Sequence, residues 1–176
     1  MAVVVFAGLL GLTGGKLYSH WLKDKNRAEL TTAIVKQMET IDVGDTLPDH
    51  VFEGLSRNPV DLKQTLPHGG LVTFISPTCP SCEDQLSEFA ASVAEDEQNS
   101  RFVFISGENP RLLEEVRDTY NLAAPVLYDH KSVYWKQLQI NSFPLNVFVD
   151  DRFVITDMIA GPISAAEFSQ VLTVKN

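Results

Sequence analysis

Residues 70–82 read GLVTFISPTCPSC and contain both cysteines of the 176-residue chain, Cys79 and Cys82. The apolar, β-branched run before the cysteines predicts a buried strand. The residues that follow, 83–95, space their apolar side chains along one face of a helix. The thiols therefore stand at a helix start, where free N–H groups and a partial positive charge stabilise a thiolate. A cysteine in such a position attacks disulfides near neutral pH, which favours redox chemistry.

Two other uses of a cysteine pair suit this sequence less well. A disulfide closing a four-residue loop would stabilise the fold by only ~2 kcal/mol, against about 4.7 for a 100-residue loop. A zinc site needs four closely spaced ligands. The chain has no third cysteine, and its histidines are scattered singly, at His20, His50, His68 and His130. A redox-active disulfide is therefore the preferred interpretation, and we expect no bound metal and no cofactor.

Composition predicts one compact domain with an N-terminal appendage. The chain is 44% hydrophobic, which suffices for one core at this length. Its 14 basic and 23 acidic residues give a net charge of −9. Nucleic acid is excluded as a partner because phosphate binding needs a basic face.

The appendage reads as a membrane anchor. Residues 2–14 carry no charge, and the segment 1–22 is long enough to span a bilayer, although it includes Lys16 and His20. A cleaved signal peptide is the competing interpretation, but the segment lacks a basic start and a small-x-small cleavage site. We predict an uncleaved anchor or signal-anchor over 1–22. The basic residues after it would keep the domain cytoplasmic by the positive-inside rule, so the orientation stays open.

Beyond the anchor we predict a helical connector over 23–43 and a folded domain over 44–176. Strands and helices alternate in that domain, which predicts a three-layer α/β sandwich with central parallel strands covered on both faces. A small hairpin is expected from Val51–Leu55 and Val60–Leu62. The other strands are predicted at 70–76, 101–106, 125–128, 145–149 and 153–160, and the helices at 80–95, 109–120, 132–138 and 164–173.

Pro144 stands before the apolar run Leu145-Asn146-Val147-Phe148-Val149. Because proline cannot donate to a strand ladder, it is expected at the start of this strand. Taken alone, it would be interpreted as an ordinary trans proline, since cis bonds are ~5–6% of X-Pro bonds in folded proteins.

The order of these features resembles the thioredoxin fold, and more narrowly the extracytoplasmic thiol-disulfide oxidoreductases of the TlpA/ResA type. Residues 74–82 are most similar to the methylamine-dehydrogenase maturation proteins called MauD, which also carry an N-terminal membrane helix. The matching pieces are Gly44-Asp45-Thr46-Leu47-Pro48-Asp49, Val60-Asp61-Leu62, the Cys79/Cys82 pair, and Phe143-Pro144 before Val147-Phe148-Val149-Asp150. The resemblance implies a thioredoxin-like α/β domain over 44–176, with a central mixed sheet flanked by helices and an N-terminal β-hairpin extension.

For the site, the resemblance implies that the catalytic residues are Cys79, Cys82 and Pro144. Cys79 would be the nucleophile and Cys82 the resolving thiol. A cis Phe143–Pro144 bond would pack beside the dithiol and guide an incoming chain. The implied protein is membrane-anchored with an extracytoplasmic domain, periplasmic or on the outer face. Its partners would be disulfide- or dithiol-bearing proteins, with reductive maturation of an extracytoplasmic protein as the expected role.

The sequence departs from that pattern at the acidic positions. Thr73 replaces the buried acid that thioredoxins carry six residues before the first cysteine, and Gln85 replaces the glutamate of ResA-like members. Glu83 and Asp84 instead follow Cys82 directly. Negative charge near a dithiol disfavours the thiolate, so we expect a disulfide reductase rather than a strong oxidant.

Two other classes of protein stay open. A peroxiredoxin would need proline where Val72 stands. A copper delivery chaperone of thioredoxin-like fold remains the alternative function, although the Sco type separates its cysteines by three residues and adds a distal histidine. His130 is interpreted as a surface loop residue.

Overall fold

The computed structural model describes residues 41–94, 98 and 101–173. Seven strands form one sheet with helices on both faces. The strands are β1 (Val51–Gly54), β2 (Pro59–Asp61), β3 (Gly70–Phe74), β4 (Phe102–Ser106), β5 (Val126–Tyr128), β6 (Leu145–Val149) and β7 (Ile155–Ala160). The α-helices are α1 (Leu62–Thr65), α2 (Pro80–Ser92), α3 (Pro110–Thr119), α4 (Val133–Leu138) and α5 (Ala165–Thr173), and a 3₁₀ turn occupies His130–Ser132.

The strand order across the sheet is β2-β1-β5-β4-β3-β6-β7. Strands β3, β4 and β5 are parallel, and the remaining neighbours pair antiparallel. The β1/β2 hairpin extends the sheet because β1 pairs with β5. This arrangement confirms the predicted mixed sheet with its N-terminal hairpin.

Strand β3 lies inside the sheet, between β4 and β6, and is buried along its whole length. Val72 and Phe74 face one core, which also holds Tyr134 of α4. Leu71 faces the other core, under α2, α3 and α5. A strand covered on both faces reads as a continuous apolar run, and this explains the sequence pattern before the cysteines.

Helix α2 begins directly after Cys79, whose extended backbone (φ −98°, ψ 116°) makes it the N-cap residue. Pro80 occupies the first helical turn, where its missing N–H needs no partner. The helix ends at Ser92, because Val93 is extended (φ −110°, ψ 119°), and so it is shorter than the predicted span of 80–95. The dithiol therefore lies at the first turn of a helix that shares a hydrophobic core with β3.

Several predicted boundaries differ from the observed ones by one to three residues, among them the end of β3, which is Phe74 and not residue 76, and three of the differences have a clear local cause. Leu62 begins α1 instead of ending a strand, because the Asp61 side chain accepts a hydrogen bond from the backbone N–H of Gln64 and caps the helix. Ser132 has a left-handed backbone (φ 54°), so α4 begins one residue later. Phe153 also has a positive φ of 63°, which places it in the turn before β7.

Within the described part of the chain, no helix combines the length and the apolar character that crossing a bilayer requires. The anchor predicted over 1–22 lies outside the described residues, as does the predicted connector up to residue 40.

Candidate active site

The two thiols are free and differ in exposure. Cys79 is half-buried at the helix start, whereas Cys82, one turn further, is 0% exposed. The backbone N–H of Ser76 donates to Cys82 Sγ at 3.5 Å. A half-buried first thiol and a fully buried second thiol make Cys79 the outward-facing sulfur of the pair.

The segment Phe143–Pro144 lies against this outward-facing sulfur. The Cys79 thiol donates to the Phe143 carbonyl oxygen, with 3.4 Å between Sγ and O. The Phe143–Pro144 peptide bond is cis, which is the geometry that the resemblance implies. The Phe143 ring packs on Trp135 with 4.5 Å between ring centroids. The fold therefore brings Cys79, Cys82 and Pro144 together from sequence positions far apart.

The environment of Cys82 disfavours its thiolate. Burial raises the pKa of the Cys82 thiol to about 12 from an ordinary value of 9.0. The hydrogen bond from Ser76 acts in the opposite direction, while Cys79 and Glu83 add to the rise in this pKa. Cys82 is therefore protonated in the reduced protein across the physiological pH range.

Behind the dithiol lies a group of uncharged side chains that we call the buried polar cluster, made of Thr73, Gln85 and Asn146. All three are at most 1% exposed. Asn146 Oδ1 accepts from Thr73 Oγ1 at 3.0 Å and from Gln85 Nε2 at 2.6 Å. The Asn146 amide donates to Gln85 Oε1 at 3.1 Å and to the Gly161 carbonyl at 2.9 Å. The three side chains therefore satisfy one another without a charge.

The buried polar cluster joins the dithiol helix to the strand that follows Pro144. Gln85 lies on α2, one turn after Cys82, and Asn146 lies on β6, two residues after Pro144. Gln85 Oε1 also accepts from the backbone N–H of Ile163 at 3.4 Å. Sequence reasoning singled out Thr73 and Gln85 as missing acids but overlooked Asn146. The available signal was one polar residue within an otherwise apolar strand.

Beside Cys82 lies a groove of about 220 Å³ between α2 and α3, which we call the acidic groove. Pro77, Leu86 and Val116 supply apolar walls, and Cys82 also lines it. Two exposed carboxylates, Glu83 on α2 and Glu115 on α3, also line this groove. Sequence reasoning anticipated Glu83 but could not anticipate Glu115, because it depends on how α3 packs.

The remaining residues considered from sequence lie at the surface. Asp84 is exposed on α2 and does not line the acidic groove. His130 is exposed in the 3₁₀ turn and its ring contacts Tyr128, with 5.7 Å between centroids. Across the described residues, no group of three or more His, Cys, Asp or Glu side chains is arranged to hold a metal ion.

Comparison with known proteins assigns the family. The model of the AhpC/TSA family matches residues 43–158, and the chain belongs to that family. The thioredoxin-like protein YneN of Bacillus subtilis (strain 168) is 24% identical over 180 residues, covering 98% of this chain and 95% of YneN.

Solved structures show that the domain has the thioredoxin fold. A secreted Mycobacterium tuberculosis disulfide oxidoreductase homologous to Escherichia coli DsbE matches with a TM-score of 0.61 and 20% identity, over 71% of this chain and 96% of that one. Peroxidoxin BcpB of the same organism matches with a TM-score of 0.63 and 18% identity, over 77% and 99%. At these identities the likeness concerns the fold alone. The narrower similarity to MauD-type proteins stays a prediction.

Proposed function

We propose that this member of the AhpC/TSA family is a thiol-disulfide oxidoreductase that acts on partner proteins through Cys79-Pro80-Ser81-Cys82. The observation that carries the proposal is the pairing of a half-buried thiol at a helix start, beside the Phe143 carbonyl, with a fully buried second thiol. The half-buried Phe143 carries the carbonyl that meets Cys79, and the buried Pro144 fixes the course of the chain directly after it. One accessible and one covered sulfur suit a two-step exchange, in which the first thiol attacks and the second resolves.

The exchange proceeds in two steps. The Cys79 thiolate attacks one sulfur of the partner disulfide, so that a mixed disulfide forms and the partner's other sulfur leaves as a thiolate that takes up a proton. Cys82 then loses its proton and attacks Cys79 Sγ, which closes the Cys79–Cys82 disulfide and releases the second partner thiol. Two electrons pass from the dithiol to the partner, and the two thiol protons end on the partner's sulfurs.

The proposed direction is reduction of the partner. Burial disfavours the Cys82 thiolate, and Glu83 adds to that effect. A dithiol whose thiolate form is not stabilised gives up electrons more readily than one whose thiolate is stabilised. Glu83 is exposed, so solvent screening limits its contribution.

We further propose that residues 1–22 anchor the protein in a membrane and that the domain works outside the cytoplasm, in the reductive maturation of an extracytoplasmic protein. The uncharged run at 2–14 supports the anchor. The match to YneN over nearly the whole chain extends through this segment. The secreted location of the M. tuberculosis oxidoreductase supports an extracytoplasmic site.

Two other activities remain as outcomes of the test. Copper delivery would need ligands in addition to the cysteine pair, and the described residues offer no such cluster. A peroxidase would need proline in place of Val72, which lies buried within β3. Ser76 does not support a peroxidase either, because its backbone N–H donates to Cys82 and not to the outward-facing Cys79, the thiol that would react with peroxide.

Turnover of insulin disulfides with dithiothreitol as the electron source tests the proposal on the full chain. We expect the full chain to reduce insulin well above the dithiothreitol background. The Cys79→Ser variant should show only that background. Binding of one copper ion per chain without insulin reduction would favour the chaperone. Consumption of hydrogen peroxide without insulin reduction would favour a peroxidase. Either result would overturn the proposal.

A further inference from the structure

We propose that the acidic groove selects the partner by accepting a basic side chain that lies next to an apolar one, close to the partner's disulfide. This inference rests on the proposed function and adds the chemical class of the substrate segment. It concerns a polypeptide partner, because the groove's volume of about 220 Å³ lies below the roughly 300–1,000 Å³ of sites for small ligands. One or two side chains of an extended segment fill such a space.

The walls of the groove are suited to an apolar side chain. Pro77, Leu86 and Val116 line it. Leu112, which also lines it, is 37% exposed and ranks among the few large apolar side chains on the described surface. Burying Leu112 and the facing walls under a partner residue removes apolar area from water, which favours association.

The charges of the groove favour a cationic side chain of the partner. Glu83 and Glu115 line it from two different helices. Neither carboxylate is paired with a cation among the residues that the structure describes. No lysine, arginine or histidine is found among the described residues that line the groove. A lysine or arginine of the partner would therefore meet two carboxylates and no cation that lines the groove.

The groove lies close to Cys79, because Cys82 and Glu83, in the helical turn that follows Cys79, both line it. Glu83 lies in the first turn of α2, whose N-cap residue is Cys79, and the Glu83 backbone N–H donates to the Cys79 carbonyl oxygen at 3.2 Å. Three extended residues of a partner span about 10 Å. A residue two or three positions from the partner's cysteine therefore reaches the groove once that cysteine is joined to Cys79.

Matched peptides test this inference with the full chain and dithiothreitol as electron source. Each peptide has one cysteine, capped as a disulfide with 2-mercaptoethanol, and leucine two positions away. The residue three positions away is lysine, glutamine or glutamate, placed before the cysteine in one set and after it in the other. The measured quantity is kcat/KM for release of the peptide thiol.

We expect the lysine peptide of at least one set to be used about fivefold faster than the glutamine peptide, and the glutamate peptide more slowly still. Glu83→Gln/Glu115→Gln should bring the lysine-to-glutamine ratio close to one. Glu115→Gln alone, which leaves the neighbourhood of the thiols intact, should lower the ratio part of the way. In 1 M salt the preference should shrink, because the Debye length falls to about 3 Å.

The control is Asp84→Asn/Glu114→Gln, which removes the same charge from adjacent exposed positions on the same two helices, outside the groove. The lysine preference should survive in this variant. An equal loss in both double variants would mean that net charge and not the groove selects the peptide, and would overturn the inference. Equal use of all peptides by the unmodified chain would also overturn it, while the turnover itself would uphold the proposed function. Absence of turnover with every peptide while insulin is still reduced would overturn the inference alone, and absence of both activities would overturn both proposals.

Discussion

Helix α2 presents two chemically opposite regions close to the dithiol. On one side the buried polar cluster of Thr73, Gln85 and Asn146 is fully hydrogen-bonded and uncharged. On the other, the acidic groove carries Glu83 and Glu115 in exposed positions. The difference follows from the cost of burying charge, since amides and hydroxyls satisfy one another in the core while carboxylates stay solvated. The buried region should therefore govern stability, and the exposed region should govern partner choice.

The thiols lie between the two regions and carry the exchange itself, so substitution of the cysteines should have the largest effect. Cys79→Ser should abolish disulfide exchange because the outward-facing sulfur is lost. In the Cys82→Ser variant, Cys79 should still attack the partner disulfide. The mixed disulfide between Cys79 and the partner should then accumulate, because no second thiol resolves it. Mass spectrometry of chains incubated with an oxidised peptide distinguishes the two products.

A slow alkylating agent at neutral pH provides the check on these roles. The reduced chain should be modified at Cys79 alone, since Cys82 is 0% exposed and protonated. Modification of Cys82 alone would reverse the assigned roles.

Placing a charge in the buried polar cluster should have the next largest effect. Gln85→Glu puts a carboxyl where Asn146 Oδ1 lies 2.6 Å away, and burial raises the pKa of such a carboxyl above its unfolded value of ~4.3. The variant should therefore be closest to the parent chain below pH ~4.3 and should lose stability as pH rises through the raised folded pKa. We expect a loss of about 1–3 kcal/mol in the free energy of unfolding at pH 7.

Urea unfolding at pH 4 and pH 7 measures this loss. Gln170→Glu, on the exposed face of α5, is the matched control and should show almost no pH-dependent difference from the parent chain. If Gln85→Glu behaved like this control, the buried polar cluster would not exclude charge.

A smaller effect follows from the pKa of Cys82 itself. In the unfolded chain this thiol ionises near 9.0, whereas in the folded chain it stays protonated to about 12. Its stabilising contribution is therefore complete below pH 9 and is lost as pH rises towards 12. Between pH 8 and pH 10 the stability advantage of the reduced parent chain over reduced Cys82→Ser should shrink by about 1.4 kcal/mol. A pH-independent difference would contradict the burial of this thiol.

The sequence predicted the order of elements well because the signals were local. An apolar run, a proline at a helix start and amphipathic spacing are each read within one segment, and β3, β4 and β6 appear where they were expected. The boundary errors at Leu62, Ser132 and Phe153 arose from single backbone torsions or caps that the apolar pattern does not encode.

The cysteines of the site could be predicted from the sequence, but its non-local contacts could not. The cysteines carry a local motif, but Asn146 meets Gln85 across 61 residues and Thr73 across 73. Its role depends on the antiparallel pairing of β6 with β3, which places Asn146 opposite Thr73. Glu115 joins the acidic groove only because α3 packs beside α2. Such non-local contacts leave no periodic signal in a single sequence.

The reduction potential of the Cys79–Cys82 pair tests most directly whether the dithiol is built to give up electrons. The full chain would be equilibrated in glutathione and dithiothreitol buffers and its free thiols counted by alkylation. Because burial and Glu83 both disfavour the Cys82 thiolate, the value should lie nearer that of thioredoxin, ~−270 mV, than that of DsbA, ~−120 mV. A potential above about −150 mV would place the protein with the oxidants and contradict the proposed direction of electron flow.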